Sequence, residues 1–174
     1  MPLPIYLDVF KAGFLGNVGL AVSPDGLLRL RMFVEGEEAF LLSNQSFREG
    51  EYTLDPEKTH LFKLEIMEYI LRERKGFSLP IDWRGYTDFQ KAVLEQTLAI
   101  PYGETRSYGQ VAAAIGRPRA SRAVGQAEKR NQVPLVIPCH RVIGSDGSMT
   151  GYGGTENTDL KEKLLDFEKG IWHP

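Results

Sequence analysis

Two residue pairs in the second half of the chain mark places where helices begin. Gln90 follows Thr87 at a distance of three residues, and Gln110 follows Ser107 at the same distance. This is the spacing of a capping box, in which the two side chains of each pair hydrogen-bond to backbone N–H groups at a helix N-terminus. The pattern therefore predicts one helix directly after Thr87 and another directly after Ser107.

The second of these helices is short and leads into another one. Gly116 is placed to end the helix that starts at Tyr108, and residues 117–120, Arg-Pro-Arg-Ala, are typical of a tight turn. A further short helix is predicted over 121–130, with Asn131 as its C-cap. Two short helices joined by such a turn indicate a helix-turn-helix, although the same arrangement also occurs in helix pairs that bind nothing.

The first half of the chain has strand-like features. Residues 15–33 form two apolar stretches around Asp25-Gly26, which is a strong signal for a β-hairpin. Residues 57–74 have apolar side chains at helical spacing, whereas no structure is predicted for 35–56. The apolar face expected for this helix consists of Leu61, Leu64, Ile66, Tyr69, Ile70 and Leu71.

A turn-like sequence at 83–85 separates the two halves. We therefore predict an α/β domain over 1–83 and a mainly α-helical domain over 84–174, which ends with a helix over 159–169. Hydrophobic residues make up 42% of the chain, enough for a sizeable core. No apolar run is long enough to span a membrane, and the N-terminus lacks the pattern of a signal peptide, so we expect a cytoplasmic protein.

Positive charge is concentrated in one segment. Residues 117–141 carry six basic side chains and one acidic one, although the net charge of the chain is −2. Such a segment is typical of a surface that meets nucleic acid, but most runs of charge are solvated helix faces. The helix predicted in this segment also has a bare side, formed by Ala120, Ala123, Gly125 and Ala127.

The glycine on this bare side needs an explanation. A glycine inside a helix costs about 1 kcal/mol relative to alanine, so Gly125 indicates the close approach of another surface. That surface is either a neighbouring helix or a nucleic-acid groove, with Arg122 reaching into it.

The only cysteine of the chain lies between a proline and a histidine, in Pro138-Cys139-His140-Arg141-Val142. A lone thiol beside an imidazole, at the end of an apolar run, is a candidate nucleophile. A cysteine that only packs in the core gives the same pattern. With three histidines and a single cysteine, the chain is not predicted to hold a structural metal.

Several motifs follow one another through the second half of the chain: Ile100-Pro101-Tyr102-Gly103, Ser107-Tyr108-Gly109-Gln110, Arg122-Ala123-Val124-Gly125, Asn131 and Pro138-Cys139-His140-Arg141-Val142. In order and spacing they resemble the motifs of the O6-alkylguanine-DNA alkyltransferases. The resemblance is close over residues 80–170, and the hairpin in the first half is similar to the less specific N-terminal domain of that family.

This resemblance implies a fold, a substrate and a partner. The N-terminal domain would be a ribonuclease-H-like α/β unit, and the C-terminal domain would carry a helix-turn-helix that enters the minor groove of double-stranded DNA. The alkyl group of an O6-alkylguanine, or of an O4-alkylthymine as a second candidate, would pass irreversibly to the protein. No cofactor is implied, because the lesion is itself the alkyl donor. A monomer at the nucleoid is expected, with cooperative binding on DNA left open.

The resemblance also assigns roles to individual residues. Cys139 would accept the alkyl group, His140 would act as its base directly or through a water, and Glu168 would orient His140. Tyr108 would help to turn the damaged nucleotide out of the stack and could protonate the leaving base. Asn131 would be a hinge between the second helix of the pair and the cysteine segment.

Two further sets of residues are implied to meet the DNA. Arg122 would fill the space left by the rotated base. The set expected to contact DNA is Tyr108, Ser121, Arg122, Ala123, Gly125 and Arg130. The set expected to line the pocket for the damaged base is Glu128, Val142, Tyr152 and Gly153.

The chain departs from the family pattern at several positions. Gln132 stands where a proline is common, Glu128 where an apolar residue is common, and Gly153 where a serine is frequent; the segment 155–158 is also longer than usual. We expect these departures to affect the range of substrates and not the reaction. A carboxylate at Glu128, near a DNA-facing pocket, would weaken binding or change which alkyl groups fit.

Three other functions share parts of this pattern. An alkyltransferase-like protein binds lesions without chemistry, but such proteins typically lack the cysteine. A helix-turn-helix regulator whose cysteine is methylated as a signal would normally need an effector or dimerisation domain. A thiol hydrolase built on Cys139 and His140 would turn over ester substrates.

Overall fold

The computed structural model describes residues 3–42, 52–149 and 158–174. They divide between two compact units, Met1–Arg84 and Gly85–Pro174. In these described ranges no helix has both the length and the apolar character needed to cross a bilayer. The expected pocket residues Tyr152 and Gly153 lie outside the described residues.

The first unit contains a four-stranded sheet with the strand order β3-β2-β1-β4. β2 is antiparallel to both of its neighbours, whereas β4 lies parallel to β1. Neither β1 nor β4 was predicted from the sequence. The strands are β1 (Ile5–Lys11), β2 (Asn17–Ser23), β3 (Gly26–Arg31) and β4 (Tyr52–Leu54).

The predicted hairpin is confirmed as β2 and β3. Its turn is held by the Ser23 hydroxyl, which accepts from the Asp25 N–H at 3.1 Å and donates to the Asp82 carboxylate at 2.5 Å. Gly26 has a φ of 134°, and a Cβ there would overlap the carbonyl group of Pro80. Glycine is therefore required where the chain leaves the turn.

Within its described ranges, the first unit also contains the α-helices α1 (Glu37–Leu42) and α2 (Pro56–Ile70) and a short 3-10 helix (Gly13–Leu15). The predicted apolar face of α2 was wrong for three leucines, since Leu61, Leu64 and Leu71 are 64%, 44% and 61% exposed. The buried stripe of α2 consists instead of Thr59, Phe62, Glu65, Ile66 and Tyr69.

Polar partners explain why the buried stripe of α2 is rotated. The Thr59 hydroxyl donates to the Asp8 carboxylate on β1 at 3.2 Å, and Glu65 accepts from the N–H of Ser78 at 2.9 Å. Because both polar side chains are satisfied, they can be buried at little cost. Apolar periodicity alone could not reveal these partners.

The second unit is built mainly from helices. Both predicted capping boxes are confirmed, at Thr87 with Gln90 and at Ser107 with Gln110. The elements are α3 (Asp88–Leu98), β5 (Arg106–Ser107), α4 (Tyr108–Ala114), α5 (Ser121–Lys129), a 3-10 turn (Cys139–Arg141), β6 (Val142–Ile143) and α6 (Asp159–Glu168).

The helices α3, α4 and α5 share one apolar core. It is formed by Val93, Ile100, Val111, Ala112, Val124, Ala127 and Val142. The short strands β5 and β6 pair in parallel, with Ser107 opposite Ile143. This pairing joins the start of α4 to the segment that follows Cys139.

The end of α5 differs from the prediction. The helix ends at Lys129, and its C-cap is Arg130, whose N–H bonds to the Ala127 carbonyl at 3.0 Å. Asn131 lies one residue beyond the cap: its N–H bonds to the Glu128 carbonyl at 3.1 Å, and its side chain contacts the cysteine segment.

Candidate active site

Cys139 is held at the start of the 3-10 turn that follows a buried segment. The segment 133–137 folds back on itself, with the Ile137 N–H bonded to the Val133 carbonyl at 3.0 Å. Leu135 reaches this tight turn with a φ of 77°, a region that non-glycine residues rarely adopt. The Cys139 N–H then bonds to the Ile137 carbonyl at 2.8 Å, and the residue is 6% exposed.

Asn131 ties this segment together. Its Nδ2 donates to the Ile137 carbonyl at 3.0 Å and to the Cys139 Sγ at 3.2 Å, while its Oδ1 accepts from the Val133 N–H at 3.0 Å. A single amide thereby satisfies two backbone groups of the turn and contacts the thiol. The side chain links the end of α5 to the cysteine segment, and the role of Asn131 as a hinge stays a prediction.

The environment of Cys139 favours the neutral thiol. Burial raises the pKa of Cys139 to about 12, and the Glu128 carboxylate adds to that shift. The hydrogen bond from Asn131 and the positive charge of Lys161 act in the opposite direction. Thiolate, the nucleophilic form of a cysteine, is therefore a minor form of Cys139 at neutral pH.

His140 and Arg141 both bind Glu168 of α6. The His140 Nε2 lies 2.7 Å from the Glu168 Oε1, and the Arg141 Nη2 donates to the same oxygen at 2.8 Å. The Arg141 Nε reaches Oε2 at 3.0 Å, and the Gly103 N–H donates to Oε2 at 2.9 Å. The Arg141 Nη1 donates a further hydrogen bond to the Ile100 carbonyl at 2.6 Å.

These contacts fix the charges of the group. Burial alone would raise the pKa of Glu168, but the hydrogen bonds from His140 and Arg141 outweigh it and hold that pKa well below its usual range. Burial lowers the pKa of His140, against the opposing effect of Glu168. At neutral pH the cluster therefore consists of a carboxylate, a guanidinium and a neutral imidazole.

The neutral imidazole has a defined tautomer. Because Glu168 is ionised and can only accept, the His140 Nε2 carries the hydrogen of their 2.7 Å contact. The basic lone pair of His140 therefore resides on Nδ1. The arrangement provides an imidazole base whose tautomer and orientation are set by a carboxylate.

Lys161 is a site residue that the sequence interpretation missed. It is 1% exposed, and its Nζ donates to the Val142 carbonyl at 2.6 Å and to the Tyr108 hydroxyl at 3.3 Å. Its charge lowers the pKa of the Cys139 thiol. A signal was present in α6, where Lys161 shares helical spacing with Leu164, Leu165 and Glu168, all buried.

The two described pocket residues are both buried. Val142 is part of the apolar core, and Glu128 is 7% exposed with its Oε1 2.5 Å from the Thr97 hydroxyl. Burial raises the pKa of Glu128 to about 8, although Thr97 and Lys161 act to lower it. Glu128 is thus buried in the second unit, where its charge raises the pKa of the Cys139 thiol, and its place in the pocket for the damaged base stays a prediction.

The residues expected to contact DNA lie on α5 and at the start of α4. Arg122, Ala123 and Arg130 are exposed, whereas Ser121, Gly125 and Tyr108 are half-buried. A Cβ at Gly125 would meet the Tyr108 ring at 3.8 Å, which is ordinary contact. The fold of this unit therefore leaves room for alanine at Gly125.

The basic side chains of the segment 117–141 are exposed, with one exception. Arg117, Arg119, Arg122, Lys129 and Arg130 are exposed, but Arg141 is 5% exposed and bound to Glu168. The charge pattern of the sequence therefore overstated the basic surface by one residue.

Comparison with known proteins gives consistent matches. The model of the family described as 6-O-methylguanine DNA methyltransferase, DNA binding domain, matches residues 88–170. The constitutive methylated-DNA–protein-cysteine methyltransferase of Bacillus subtilis is 41% identical over 155 residues, which are 89% of this chain and 90% of that protein. The corresponding protein of Methanosarcina barkeri is 38% identical over 171 residues, which are 95% of this chain and 98% of that protein.

A solved structure matches almost the whole chain. The crystal structure of Mycobacterium tuberculosis OGT in complex with DNA superposes with a TM-score of 0.79 and 38% identity, covering 95% of this chain and 94% of that one. Sequence and fold thus agree over both units, and this chain belongs to the family of methylated-DNA–protein-cysteine methyltransferases.

Proposed function

We propose that this protein repairs duplex DNA by moving the alkyl group of an O6-alkylguanine irreversibly to the sulfur of Cys139. The observation that carries the proposal is the group formed by the single thiol, the neighbouring His140 and the buried Glu168, in a chain of this family. The same attack on an alkoxy carbon would serve O4-alkylthymine. Because no group in the described site is suited to cleave a thioether, each molecule acts once.

The proposed reaction is an in-line displacement at the alkyl carbon. The Cys139 thiol gives its proton to the His140 Nδ1, directly or through a water, and the thiolate attacks the carbon. The bond between carbon and O6 breaks, and its electron pair remains with the guanine, which takes up a proton. The Tyr108 hydroxyl, which accepts from Lys161, is the proposed donor of that proton.

The burial of Cys139 requires that the base come to the sulfur. A thiol that is 6% exposed cannot reach a guanine inside the stack, so we propose that the damaged nucleotide is rotated out of the duplex. The α4–α5 pair would act as a helix-turn-helix in the minor groove, with the first unit as a ribonuclease-H-like support. The fold would accept a Cβ at Gly125, so packing inside the protein does not require a glycine there. A bare backbone at this position supports close approach of the DNA.

Intact-mass measurement tests the acceptor. After incubation with a duplex that contains O6-methylguanine, we expect the protein to gain a single methyl group, located on Cys139 by peptide mapping. The Cys139→Ser variant should gain none, because its hydroxyl is a far weaker nucleophile. An unmodified Cys139 after excess lesion, or repeated turnover of an ester substrate, would contradict the proposal.

Removal of the Arg122 side chain should separate DNA handling from chemistry. Arg122→Ala is expected to keep the reactivity of Cys139 towards free O6-benzylguanine, because the thiol site is unchanged. Repair of duplex DNA should fall by about tenfold or more, since holding a base outside the stack costs a few kcal/mol. The measurement is the second-order rate constant with each substrate.

Lys129→Ala is a matched control for Arg122→Ala, since it removes an exposed positive charge from the same helix. Its duplex rate should change only modestly, in proportion to one lost phosphate contact. Equal losses with both substrates in Arg122→Ala would refute the role of Arg122 in DNA handling.

A further inference from the structure

Glu128 is a buried acid that the proposed reaction does not use. Its Oε2 has no hydrogen-bond partner in the described parts of the chain, and its Oε1 lies 2.5 Å from the Thr97 hydroxyl. The positive charge of Lys161 lowers the pKa of Glu128. The Lys161 Nζ, however, donates its hydrogen bonds to the Val142 carbonyl and the Tyr108 hydroxyl. A carboxylate in this place would be poorly compensated.

The hydrogen bonds around Thr97 fit a neutral acid. The Thr97 hydroxyl lies 3.1 Å from the Val93 carbonyl and 2.5 Å from the Glu128 Oε1, yet it has only one hydrogen. Both contacts are hydrogen bonds when Glu128 is protonated and donates to Thr97, which in turn donates to Val93. The bare Oε2 is then a carbonyl oxygen, which costs less to leave unpaired than a charged one.

Groups from three elements act on Glu128. The Thr97 hydroxyl of α3 is hydrogen-bonded to its carboxyl group, and Lys161 of α6 and Cys139 of the 3-10 turn interact with it electrostatically. Tyr108 of α4 enters only through its hydrogen bond to Lys161. Among these, Cys139 is the group whose reactivity depends on charge, because only its thiolate is nucleophilic.

We propose that Glu128 is a positioning residue that sets the pH response of Cys139: as a neutral acid it permits thiolate formation, and as a carboxylate it opposes it. The inference rests on the proposed function in taking Cys139 as the alkyl acceptor. Burial places the ionisation of Glu128 at a pKa of about 8, and an ionised Glu128 raises the pKa of the thiol.

A distinctive pH profile follows. Below about pH 8, Glu128 is neutral and the thiolate fraction grows about tenfold per pH unit. Above that pH, Glu128 is ionised, and a new thiolate must form beside its negative charge, which raises the pKa of the thiol. The thiolate fraction therefore rises less steeply as the pH passes through about 8 than it does on either side.

Glutamine at this position tests the inference, because its amide can donate to Thr97 as the neutral acid does and cannot ionise. We expect the pH profile of Cys139 alkylation by iodoacetamide to show a shoulder near pH 8 in the natural protein, where Glu128 ionises. In Glu128→Gln the rate should rise through this range without a shoulder, so the ratio of the variant rate to the natural rate should increase across pH 8. Intact mass reports this rate cleanly, because the chain contains one cysteine.

Glu162→Gln is the matched control, since it removes the same charge from an exposed position on α6 and should follow the natural profile. Superimposable profiles for the natural protein and Glu128→Gln would overturn the inference. So would a Glu128→Gln rate lowered by one constant factor at every pH, because that result indicates a purely structural role.

A second measurement needs no variant. The carbon-13 shift of the Glu128 carboxyl group should titrate with a midpoint near 8, and a midpoint near the ordinary value of 4.5 would overturn the inference. Iodoacetamide requires no DNA, so the two proposals fail separately. If Cys139 stays unmethylated after incubation with DNA that contains O6-methylguanine, the proposed function is refuted. If the natural protein and Glu128→Gln have the same pH profile with iodoacetamide, the role of Glu128 is refuted.

Discussion

Replacement of Glu168 by alanine should lower the free energy of unfolding by about 3–5 kcal/mol, the usual cost of removing one partner from a buried ion pair. The Glu168 carboxylate accepts from His140, Arg141 and the Gly103 N–H, all inside the second unit. Without it, the Arg141 guanidinium stays buried with no counter-charge. Urea-induced unfolding at neutral pH measures the effect.

The same change should abolish alkyl transfer in the fraction that remains folded. Without Glu168, His140 loses the carboxylate that holds the hydrogen on Nε2, so the lone pair on Nδ1 proposed to receive the thiol proton is no longer secured. Glu162→Ala on the exposed side of α6 is the matched control, with an expected change within about 0.5 kcal/mol. Equal stability of the two variants would contradict the prediction.

The contribution of Glu168 also depends on pH. Its pKa is lower in the folded protein than the ordinary 4.5, so the stabilisation is complete above that value and is lost as the pH falls towards the folded pKa. The loss of stability in mild acid should therefore be reduced in a Glu168→Gln variant, which has no such proton to gain.

Glu128→Gln should stabilise the protein by an amount that increases with pH. Burial raises the pKa of Glu128 from 4.5 to about 8, so across this range the folded protein keeps a proton that the unfolded chain releases. The stability of the natural protein must then fall as the pH rises through this window. At about 1.4 kcal/mol per pKa unit, the full effect is on the order of 5 kcal/mol.

The test is the free energy of unfolding of Glu128→Gln minus that of the natural protein. This difference is measured once near pH 5 and once near pH 8. Glutamine keeps the shape and the bond to Thr97, so the variants should be similar at the lower pH and should separate at the higher one. The Glu162→Gln control, exposed on α6, should show no such separation. A difference that is constant with pH would show that Glu128 is not held as a neutral acid.

Local signals in the sequence predicted much of the fold. The capping boxes at Thr87 and Ser107 and the Asp25-Gly26 turn act over three or four residues, so they can be interpreted without knowledge of the tertiary structure. The strands β1 and β4 could not be predicted in this way, because their parallel pairing joins residues far apart in the chain. The buried face of α2 depended on Asp8 and Ser78, which are equally remote.

In the candidate site too, features that depend on neighbouring residues were predicted from the sequence, and features that depend on remote contacts were not. Cys139 and His140 are neighbours in the sequence, and their chemistry is evident from residue type. Glu168 was assigned through the family resemblance, because nothing near it in the sequence indicates that it meets His140 at 2.7 Å. The helical spacing of Lys161 with buried residues of α6 indicated its burial, but its contacts with Val142 and Tyr108, like the burial of Glu128, depend on the packing of several elements.

The two-residue ladder between β5 and β6 has a mechanical consequence. Ser107 caps α4 and is also the backbone neighbour of Ile143, just beyond the cysteine turn. The surface proposed to grip the duplex is thus connected by main-chain pairing to the strand that directly follows the turn carrying the sulfur. A substitution that disturbs this ladder should therefore change how the duplex and the thiol are aligned with each other.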